Sequence, residues 1–573
     1  MAAWWSVPDR DANDEGGPGA AFAMPRRRGS GAVAGGWPAG PSIYEIYPRS
    51  FLDTTGSGEG DLRGIVERLD HVKSLNVDAV WIAPFFLSPM HDGGYDVQDH
   101  ARVNPRFGTE ADFDALVRAA HDAGLLVMID QVLNHTSHRH AWFANSVERR
   151  GGYDDWYIWH DPKPDGTAPN NWLSQFGPPA WTWNHRRRQY YLHQFLDCQP
   201  NLNLRSAAVQ DALRAMMRGW MDRGVDGFRF DAITSYMWDP AFPDNPPSSP
   251  EVREKVSGPR FNPYSMQDHE NDMMPGDGAE WSGVVRGWAG EDMYLLGEIT
   301  SGNQSVTLVN RLCCPGGLDA AYTTDLPEEG VTAKNVARVI EGTRTPRTFA
   351  WWLSSHDQPR PVTAHGDGSD RDARFLMTLC ALLPGPWLTF QGEELGLPQP
   401  FLDYEENDDP FDRLYWPDVP GRQGPRVPIP WSEGYVGFGF TTGTPWLTMR
   451  GGDDVGRRAG VRRGLGAQLR PPPARLPPRV GDRRGADRLG RGRGRRPARA
   501  DRVRGRRDRG RRELRRRDDG RGRRGRRALR LARGRRRVAG AQRAGPAGRR
   551  RGAPRGRVRR APPAIGGRGA RAG

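Results

Sequence analysis

Short apolar segments recur between residues 43 and 390, and most of them run into polar or acidic residues. Such short runs are typical of strands in a parallel sheet, because helices cover both faces of those strands. Segments with helical spacing separate them, such as Thr109 to Ala123, where Thr109 and Asp112 form an N-cap signal. We place eight strands at residues 43–47, 78–84, 125–129, 225–230, 293–298, 319–323, 349–353 and 387–390. This alternation predicts an α/β fold, the (β/α)8 TIM barrel, with a site at the C-terminal ends of its strands.

One long segment, residues 136–199, interrupts the alternation after the third strand. It is rich in Trp, Asn, Pro and Gly, and it is long for a loop of a barrel. We therefore predict an inserted subdomain at 136–199. It separates a first part of the barrel, residues 42–135, from a second part, residues 200–450.

The fourth predicted strand leads directly into a carboxylate. Arg229 and Asp231 are two residues apart, so on a strand their side chains point to the same side. A guanidinium beside a carboxylate favours the ionised form of that carboxylate. An ionised Asp at the C-terminal end of a barrel strand suits covalent sugar chemistry. For this string alone, a structural Arg–Asp pair is the alternative.

A glycine-rich loop after the first strand carries an oxygen-bearing side chain at every second position: Asp53, Thr55, Ser57, Glu59 and Asp61. This spacing lets a tight loop wrap a hard cation such as Ca²⁺. Because Thr55 and Ser57 stand where better ligands would be expected, the loop predicts only a weak structural Ca²⁺ site. A plain glycine-rich turn is the alternative, and we expect the chemistry of the protein to require no cofactor.

The charge of the chain is divided unevenly along its length. The whole chain carries +15, but residues 451–573 contain 45 Arg, no Lys and 9 acidic residues and alone carry +36, which leaves −21 for residues 1–450. The part that can fold is therefore acidic, which excludes nucleic-acid binding as a property of the whole sequence.

The four cysteines lack the spacing of a metal site, and free thiols are typical of a reducing compartment. No apolar run has the length of a membrane span or the character of a secretory signal. We therefore predict a cytoplasmic protein with no membrane partner.

Residues 451–573 have no aromatic residue and are mainly Arg, Gly, Ala, Pro, Asp, Val and Leu. They cannot build a core, and their like charges repel, so we predict a disordered Arg-rich tail. These amino acids have G/C-rich codons, and we hypothesise that a frameshift produced the tail. Non-specific binding of nucleic acid through the tail is the alternative. Residues 1–41 show no periodicity, and we predict that they are disordered too.

Five motifs in order resemble those of the α-amylase superfamily, glycoside hydrolase family 13. They lie at residues 130–135, 199–203 and 227–231, at Glu298, and at His356 with Asp357. Within this family the chain is most similar to the bacterial α-glucosidase and oligo-1,6-glucosidase group, which residues 170–174 and 189–193 of the insertion also resemble. The resemblance implies a C-terminal β-sandwich after the barrel, whose place the Arg-rich tail takes.

The resemblance also implies the catalytic residues. Asp231 would be the nucleophile and Glu298 the general acid/base. Asp357 would be the third carboxylate, which binds the sugar hydroxyls and favours the distorted ring. Arg229 would support Asp231.

Four further residues would bind the sugar in the cleaved subsite, as the same resemblance implies. His135 and His356 would form hydrogen bonds to it. Asp92 would hold its non-reducing end, and Tyr95 would stack beneath it.

The expected activity is that of a retaining exo-α-glucosidase, which releases terminal α-linked glucose from short malto-oligosaccharides by double displacement. Ala232 follows the nucleophile, and a small residue there is associated in the subgroup with a preference for α-1,4 linkages. The alternatives are a transglucosidase or sucrose-isomerase-type enzyme with the same carboxylates, and a catalytically inactive sugar-binding barrel.

Overall fold

The computed structural model of the chain describes residues 36–256, 262–273, 275–299, 305–417, 421–432 and 436–449. The predicted tail at 451–573 lies outside the described residues, and so do residues 1–35 of the predicted N-terminal segment. The hypothesis of a frameshift concerns residues 451–573 and therefore also lies outside the described residues.

Seven parallel strands form one sheet: β1 Ser42–Ile46, β2 Ala79–Ile82, β5 Leu126–Gln131, β9 Gly227–Phe230, β10 Tyr294–Ile299, β11 Ala320–Thr323 and β12 Trp387–Phe390. Their order across the sheet is β11-β10-β9-β5-β2-β1-β12. Strands β2, β9, β11 and β12 are buried along their whole length. This is the burial expected of short apolar strands that are covered on both faces.

The segment predicted as the seventh barrel strand closes the sheet into a barrel, although it is not a regular strand. Phe349 pairs in parallel with Ala321 of β11, and Trp351 pairs in parallel with Trp387 of β12. Because this segment joins the two edge strands, the sheet becomes the predicted eight-membered (β/α)8 barrel.

The described helices mostly follow the barrel strands. They are α1 Leu62–Glu67, α2 Leu69–Ser74, α3 Glu110–Asp122, α4 Ala141–Val147, α5 Ala207–Met221, α6 Pro250–Val256, α7 Pro275–Ala289, α8 Ser305–Leu312, α9 Asp325–Glu329, α10 Ala333–Gly342, α11 Pro361–Ala364, α12 Asp370–Leu382 and α13 Pro410–Tyr415. The N-cap predicted for α3 is a capping box between Thr109 and Asp112. Arg68, whose backbone leaves the helical region, separates α1 from α2.

The insertion after β5 has a small core of its own. Strands β6 Trp159–His160, β7 Trp181–Asn184 and β8 Gln189–Leu192 form an antiparallel sheet in the order β6-β8-β7. Trp172 and Trp181 are buried and stack with ring centroids 6.0 Å apart. These tryptophans therefore stabilise the insertion rather than offer a surface for a sugar. A separate antiparallel pair, β3 Phe86–Leu87 and β4 Asp99–Val103, precedes α3.

The barrel interior changes from apolar to polar along the strands. A buried cluster fills its N-terminal part, with Ile43, Met128 and Leu296 among its members. Two residues further along the same strands lie Glu45, Asp130 and Glu298. Because side chains alternate across a strand, these carboxylates share the inward register of the apolar residues below them. The candidate site is thus built on the polar end of the barrel core.

Candidate active site

Arg229 lies at the centre of the candidate site and is 1% exposed. Its Nη1 contacts Asp130 and lies 2.8 Å from Asp231 Oδ1, and its Nη2 lies 2.6 Å from Glu298 Oε2. Its Nε also donates to the Tyr322 hydroxyl at 2.9 Å. One guanidinium therefore holds two of the three carboxylates for which the sequence predicted a catalytic role, Asp231 and Glu298.

The backbone turn after β9 positions Glu298. Ala232 has φ 42° and ψ 44°, in the left-handed region that residues with a side chain rarely adopt. In this conformation the Ala232 N–H donates to Glu298 Oε2 at 2.9 Å. The strained turn and Arg229 thus bind the same carboxylate, and together they fix it beside Asp231.

Asp357 is held by cations from a distant part of the chain. Arg426 Nη2 contacts Asp357 Oδ1, Arg422 Nη1 lies 3.5 Å from the same oxygen, and His356 Nε2 lies 3.3 Å from Oδ2. Burial alone would raise the pKa of Asp357, but His356, Arg422 and Arg426 outweigh it and hold this pKa well below its usual range. Asp357 is therefore ionised throughout the range in which the protein would work.

The predicted sugar-binding residues lie around the same space. Asp92 accepts hydrogen bonds from Arg422 at 2.7 Å and from the Gln199 side chain at 2.9 Å. The Gln199 amide nitrogen also lies 3.1 Å from His135 Nε2. Burial lowers the pKa of His135 to about 4, so its ring is neutral at physiological pH.

Tyr95 joins this side of the site to Arg229. Its hydroxyl lies 2.7 Å from His356 Nε2 and accepts a hydrogen bond from Arg229 Nη1 at 3.2 Å. The structure therefore brings together all eight residues that the sequence predicted for catalysis and sugar binding: Asp92, Tyr95, His135, Arg229, Asp231, Glu298, His356 and Asp357.

Sequence reasoning missed three charged residues of the site: Glu45, Arg422 and Arg426. Glu45 contacts His356, while Arg422 and Arg426 contact Asp357. A carboxylate inside an otherwise apolar strand is a signal that would have drawn attention to Glu45. Arg422 and Arg426 lie in an irregular segment, where neither periodicity nor the end of a strand marks them.

The pKa of Asp231 moves in the opposite direction to the one expected from its contact with Arg229. Burial has the largest effect and raises this pKa well above its usual range; Arg229 opposes the rise, and Glu298 and Asp130 add to it. Asp231 and Glu298 are nevertheless bound to the same guanidinium, so their two carboxyl groups stay close together.

The predicted cation loop uses its oxygens internally. Asp53 accepts hydrogen bonds from Thr55 Oγ1 and from the backbone N–H groups of Thr55, Gly56 and Gly58. Ser57 Oγ lies 3.5 Å from Asp53 Oδ1, Glu59 pairs with Arg49 and Arg106, and Asp61 caps α1.

These partners turn the oxygens of the loop towards donors and cations of the protein itself. Nowhere in the part of the chain that the structure describes do three His, Cys, Asp or Glu side chains form a metal site. The weak Ca²⁺ site stays an untested prediction. Cys198, Cys313, Cys314 and Cys380, all of which lie in the described ranges, form no disulfide with one another.

Buried neutral histidines give the fold a dependence on pH. Burial lowers the pKa of His140 from 6.5 to about 3, and its Nδ1 accepts the N-cap hydrogen bond of α4 from Trp142 N. A lowered pKa contributes stability that is complete above 6.5 and declines as the pH falls toward the pKa of the folded state.

We expect His140→Asn, which keeps an N-cap acceptor, to remove this decline. As the pH falls from about 6.5 to about 4, the free energy of unfolding of the variant, relative to that of wild type, should rise by about 1.4 kcal/mol for each pH unit. Urea unfolding at several pH values measures the difference. The comparison must be made with wild type, because Glu393, whose pKa burial raises to about 8, titrates with the opposite sign. A difference that does not change with pH would contradict a neutral His140.

Comparison with known proteins identifies the family. The family model of the α-amylase catalytic domain matches residues 45–311 and 321–455. A probable α-glucosidase of Rhizobium meliloti (strain 1021) is 44% identical over 424 residues, which cover 72% of this chain and 77% of that protein. An oligo-1,6-glucosidase of Heyndrickxia coagulans is 35% identical over 443 residues, covering 71% and 78%.

A solved structure gives the same result. The crystal structure of the α-glucosyl transfer enzyme XgtA superposes with a TM-score of 0.70 at 42% identity, over 74% of this chain and 80% of that one. In the described ranges of the chain, no helix is both long and apolar enough to cross a membrane. The family model, the relatives and the barrel agree: the chain belongs to the α-amylase family, glycoside hydrolase family 13, and is a glycoside hydrolase.

Proposed function

We propose that this chain is a retaining exo-α-glucosidase, with a short malto-oligosaccharide or a related α-glucoside as its substrate. The observation that carries the proposal is the pairing of Asp231 and Glu298 on one buried guanidinium at the ends of adjacent strands. Retaining glycosidases use two carboxyl groups close together, one as nucleophile and one as acid and base. The name of the Rhizobium meliloti relative, probable α-glucosidase, supports the substrate class.

The proposed reaction proceeds in two displacements. Asp231 attacks the anomeric carbon while Glu298 donates its proton to the leaving oxygen, and the bond between sugar and leaving group breaks. Glu298 then removes a proton from water, which releases the sugar from Asp231 with its configuration retained.

Asp357 stays charged through both displacements and holds the sugar. Its low pKa suits hydrogen bonding to hydroxyls of the distorted ring, in a site where positive charge develops at the anomeric centre. Arg229 prevents repulsion between Asp231, Glu298 and Asp130 from disrupting this geometry.

Contacts between the insertion and the segment after β12 support exo action on a terminal glucose. The Phe176 ring of the insertion lies 6.1 Å from the Phe411 ring, and the Tyr415 hydroxyl donates to the Phe176 carbonyl oxygen at 2.7 Å. Arg422, which binds Asp92, lies 5.1 Å from the Phe176 ring centroid. The insertion and the segment after β12 thus meet beside the residue proposed to hold the non-reducing end.

Ala232 supports a preference for α-1,4 linkages. In the group that the chain resembles, a small residue after the nucleophile is associated with that preference, and Ala232 is 1% exposed beside Glu298. We also propose that the protein is cytoplasmic, since four cysteines that form no disulfide with one another suit a reducing compartment.

Glucosyl transfer is the second candidate function. It uses the same carboxylates, with a sugar or alcohol instead of water attacking the intermediate. The similarity to XgtA, an α-glucosyl transfer enzyme, favours keeping this candidate. Product analysis at high sugar concentration separates the two, because transfer places the glucosyl unit on another sugar and yields longer glucosides, whereas hydrolysis releases that unit as free glucose.

The direct test is proton NMR of the first products from p-nitrophenyl α-glucoside, in which all the glucose comes from the cleaved glucosyl unit, with maltose and isomaltose compared by their rates of glucose release. We expect α-glucose to appear first, with β-glucose following only at the rate of mutarotation, and maltose to be the better substrate. β-Glucose as the first product would contradict the retaining mechanism. A folded protein that produces no glucose from either sugar would contradict hydrolysis of these substrates.

A further inference from the structure

A further buried carboxylate, that of Glu45, contacts the His356 ring on the side away from Asp357. Each of the two side chains is 1% exposed. Glu45 Oε1 contacts His356 Nδ1, and the His356 backbone N–H lies 3.4 Å from the same oxygen. Among the ion pairs of the described residues, Glu45 takes part only in the one with His356, so the mechanism above does not use it directly.

The other side of the His356 ring faces the reacting groups. Its Nε2 lies 2.7 Å from the Tyr95 hydroxyl and 3.3 Å from Asp357 Oδ2. The Tyr47 and Tyr95 rings stack parallel to it, with centroids at 6.0 Å and 5.3 Å. The ring is therefore held in one plane, with one nitrogen toward Glu45 and the other toward the third carboxylate.

These contacts distinguish the two charge states of the ring. A neutral ring has one N–H. If it donates to Glu45, the lone pair of Nε2 faces the carboxylate of Asp357, which repels it. An imidazolium has two N–H groups, one toward Glu45 and one toward the Tyr95 hydroxyl and Asp357, and its positive charge is attracted by both carboxylates. The doubly protonated ring is the state that matches both contacts.

The surrounding charges favour the same state. Carboxyl groups outnumber the basic groups that contact them in this region by seven to four. The basic groups are those of Arg229, Arg422, Arg426 and His356. The carboxyl groups are those of Glu45, Asp92, Asp130, Asp231, Glu298, Asp357 and Asp409. The titratable and charged groups around the His356 ring are Glu45, Tyr47, Tyr95, Asp130, Asp357 and Arg426. Burial lowers the pKa of His356, but Asp357 and Glu45 outweigh this and raise it to about 10.

We propose that Glu45 is a positioning residue that keeps His356 doubly protonated, so that a fixed N–H donor stands beside Asp357 for the hydroxyls of the reacting sugar. Glu45 acts only through His356 and does not touch the substrate. Its effect on rate rests on the proposed function, whereas its effect on the charge of the ring does not.

Glu45→Gln tests the proposal, because it keeps the shape and an acceptor oxygen but removes the charge. Nitrogen-15 NMR of labelled histidine, with His356 assigned from the signals lost in His356→Gln, reports the protonation of the ring. In wild type we expect a doubly protonated ring up to about pH 9, and in Glu45→Gln a ring that is mostly neutral at about pH 7.5. The alkaline limb of kcat/KM should move to lower pH, and kcat/KM at neutral pH should fall about 10- to 100-fold.

Glu394→Gln is the matched control. Glu394 is also a buried carboxylate near β1, but it accepts hydrogen bonds from Tyr44 at 2.8 Å and contacts His71 at 3.0 Å, away from His356. We expect this variant to lose stability without moving the pH limb or the His356 signals.

Three results would overturn the proposal. The first is a neutral His356 ring in wild type at about pH 7.5, which needs no variant to fold. The second is a ring in Glu45→Gln that titrates as in wild type. The third is an equal shift of the pH limb in Glu45→Gln and Glu394→Gln. If the ring behaves as proposed and glucose release is absent from wild type, the assignment of function fails while the role of Glu45 in the charge of His356 stands.

Discussion

Asp231→Asn is expected to reduce glucose release at least about 10,000-fold, because an amide cannot form the covalent intermediate. Asn keeps the size of the side chain, and Arg229 retains its contacts with Asp130 and Glu298. The fold should therefore survive, and the loss should appear in kcat. Initial rates with maltose, together with a thermal melt of each preparation, measure both effects.

The stability of this variant should change with pH in a defined direction. The pKa of Asp231 is raised in the folded state, so its contribution to stability is present at low pH and is lost as the pH rises. The free energy of unfolding of Asp231→Asn, relative to wild type, should therefore increase between about pH 5 and pH 8. Asp211→Asn is the matched control, since the Asp211 side chain is 69% exposed.

Substantial turnover in a folded Asp231→Asn protein would contradict the role of Asp231 as nucleophile.

Arg229→Met should be the most damaging substitution in the barrel. Removal of the guanidinium leaves Asp130, Asp231 and Glu298 buried without their shared cation. Removing one partner of a buried ion pair costs roughly 3–5 kcal/mol, because the remaining charge is uncompensated. The loss should be smaller at about pH 5 than at about pH 8, since protonation relieves the repulsion between the carboxylates. Urea unfolding at both pH values measures it.

Arg286→Met separates loss of stability from loss of chemistry. Arg286 is also buried and pairs with Asp319 at 2.6 Å, but it lies on α7 and donates to the backbone carbonyls of Gly290, Met293 and Gly317. The Arg286→Met variant should lose stability, while its folded fraction retains the kcat of wild type. The Arg229→Met variant should lose both stability and kcat. An Arg229→Met protein with normal turnover would show that Arg229 is only structural.

Local patterns predicted those parts of the site that depend on neighbours in sequence. Arg229 and Asp231 point to the same side of a strand because they are two residues apart, and the contact between them at 2.8 Å is the one predicted. The ends of the strands likewise located Glu298 and Asp357. For such residues, the periodicity of the strand and the position of its end carry enough information.

Contacts across long separations could not be predicted in this way. Glu45 meets a residue 311 positions further along, and Arg422 meets one 330 positions before it. These contacts depend on closure of the barrel and on the path of the segment after β12. The pKa of Asp231 could not be predicted from the neighbouring Arg229 for a related reason. Burial and nearby carboxylates come with the tertiary fold, and their effect on this pKa outweighs that of the arginine.

The most direct test of the central claim is to trap the intermediate with a fluorinated α-glucosyl fluoride and to locate the label by peptide mass spectrometry. The reagent accumulates a glucosyl-enzyme because fluorine slows the second displacement. We predict a single glucosyl adduct on the peptide that contains Asp231, with no label in Asp231→Asn. A label on the peptide that contains Glu298 or Asp357, or a label that persists in Asp231→Asn, would contradict the account.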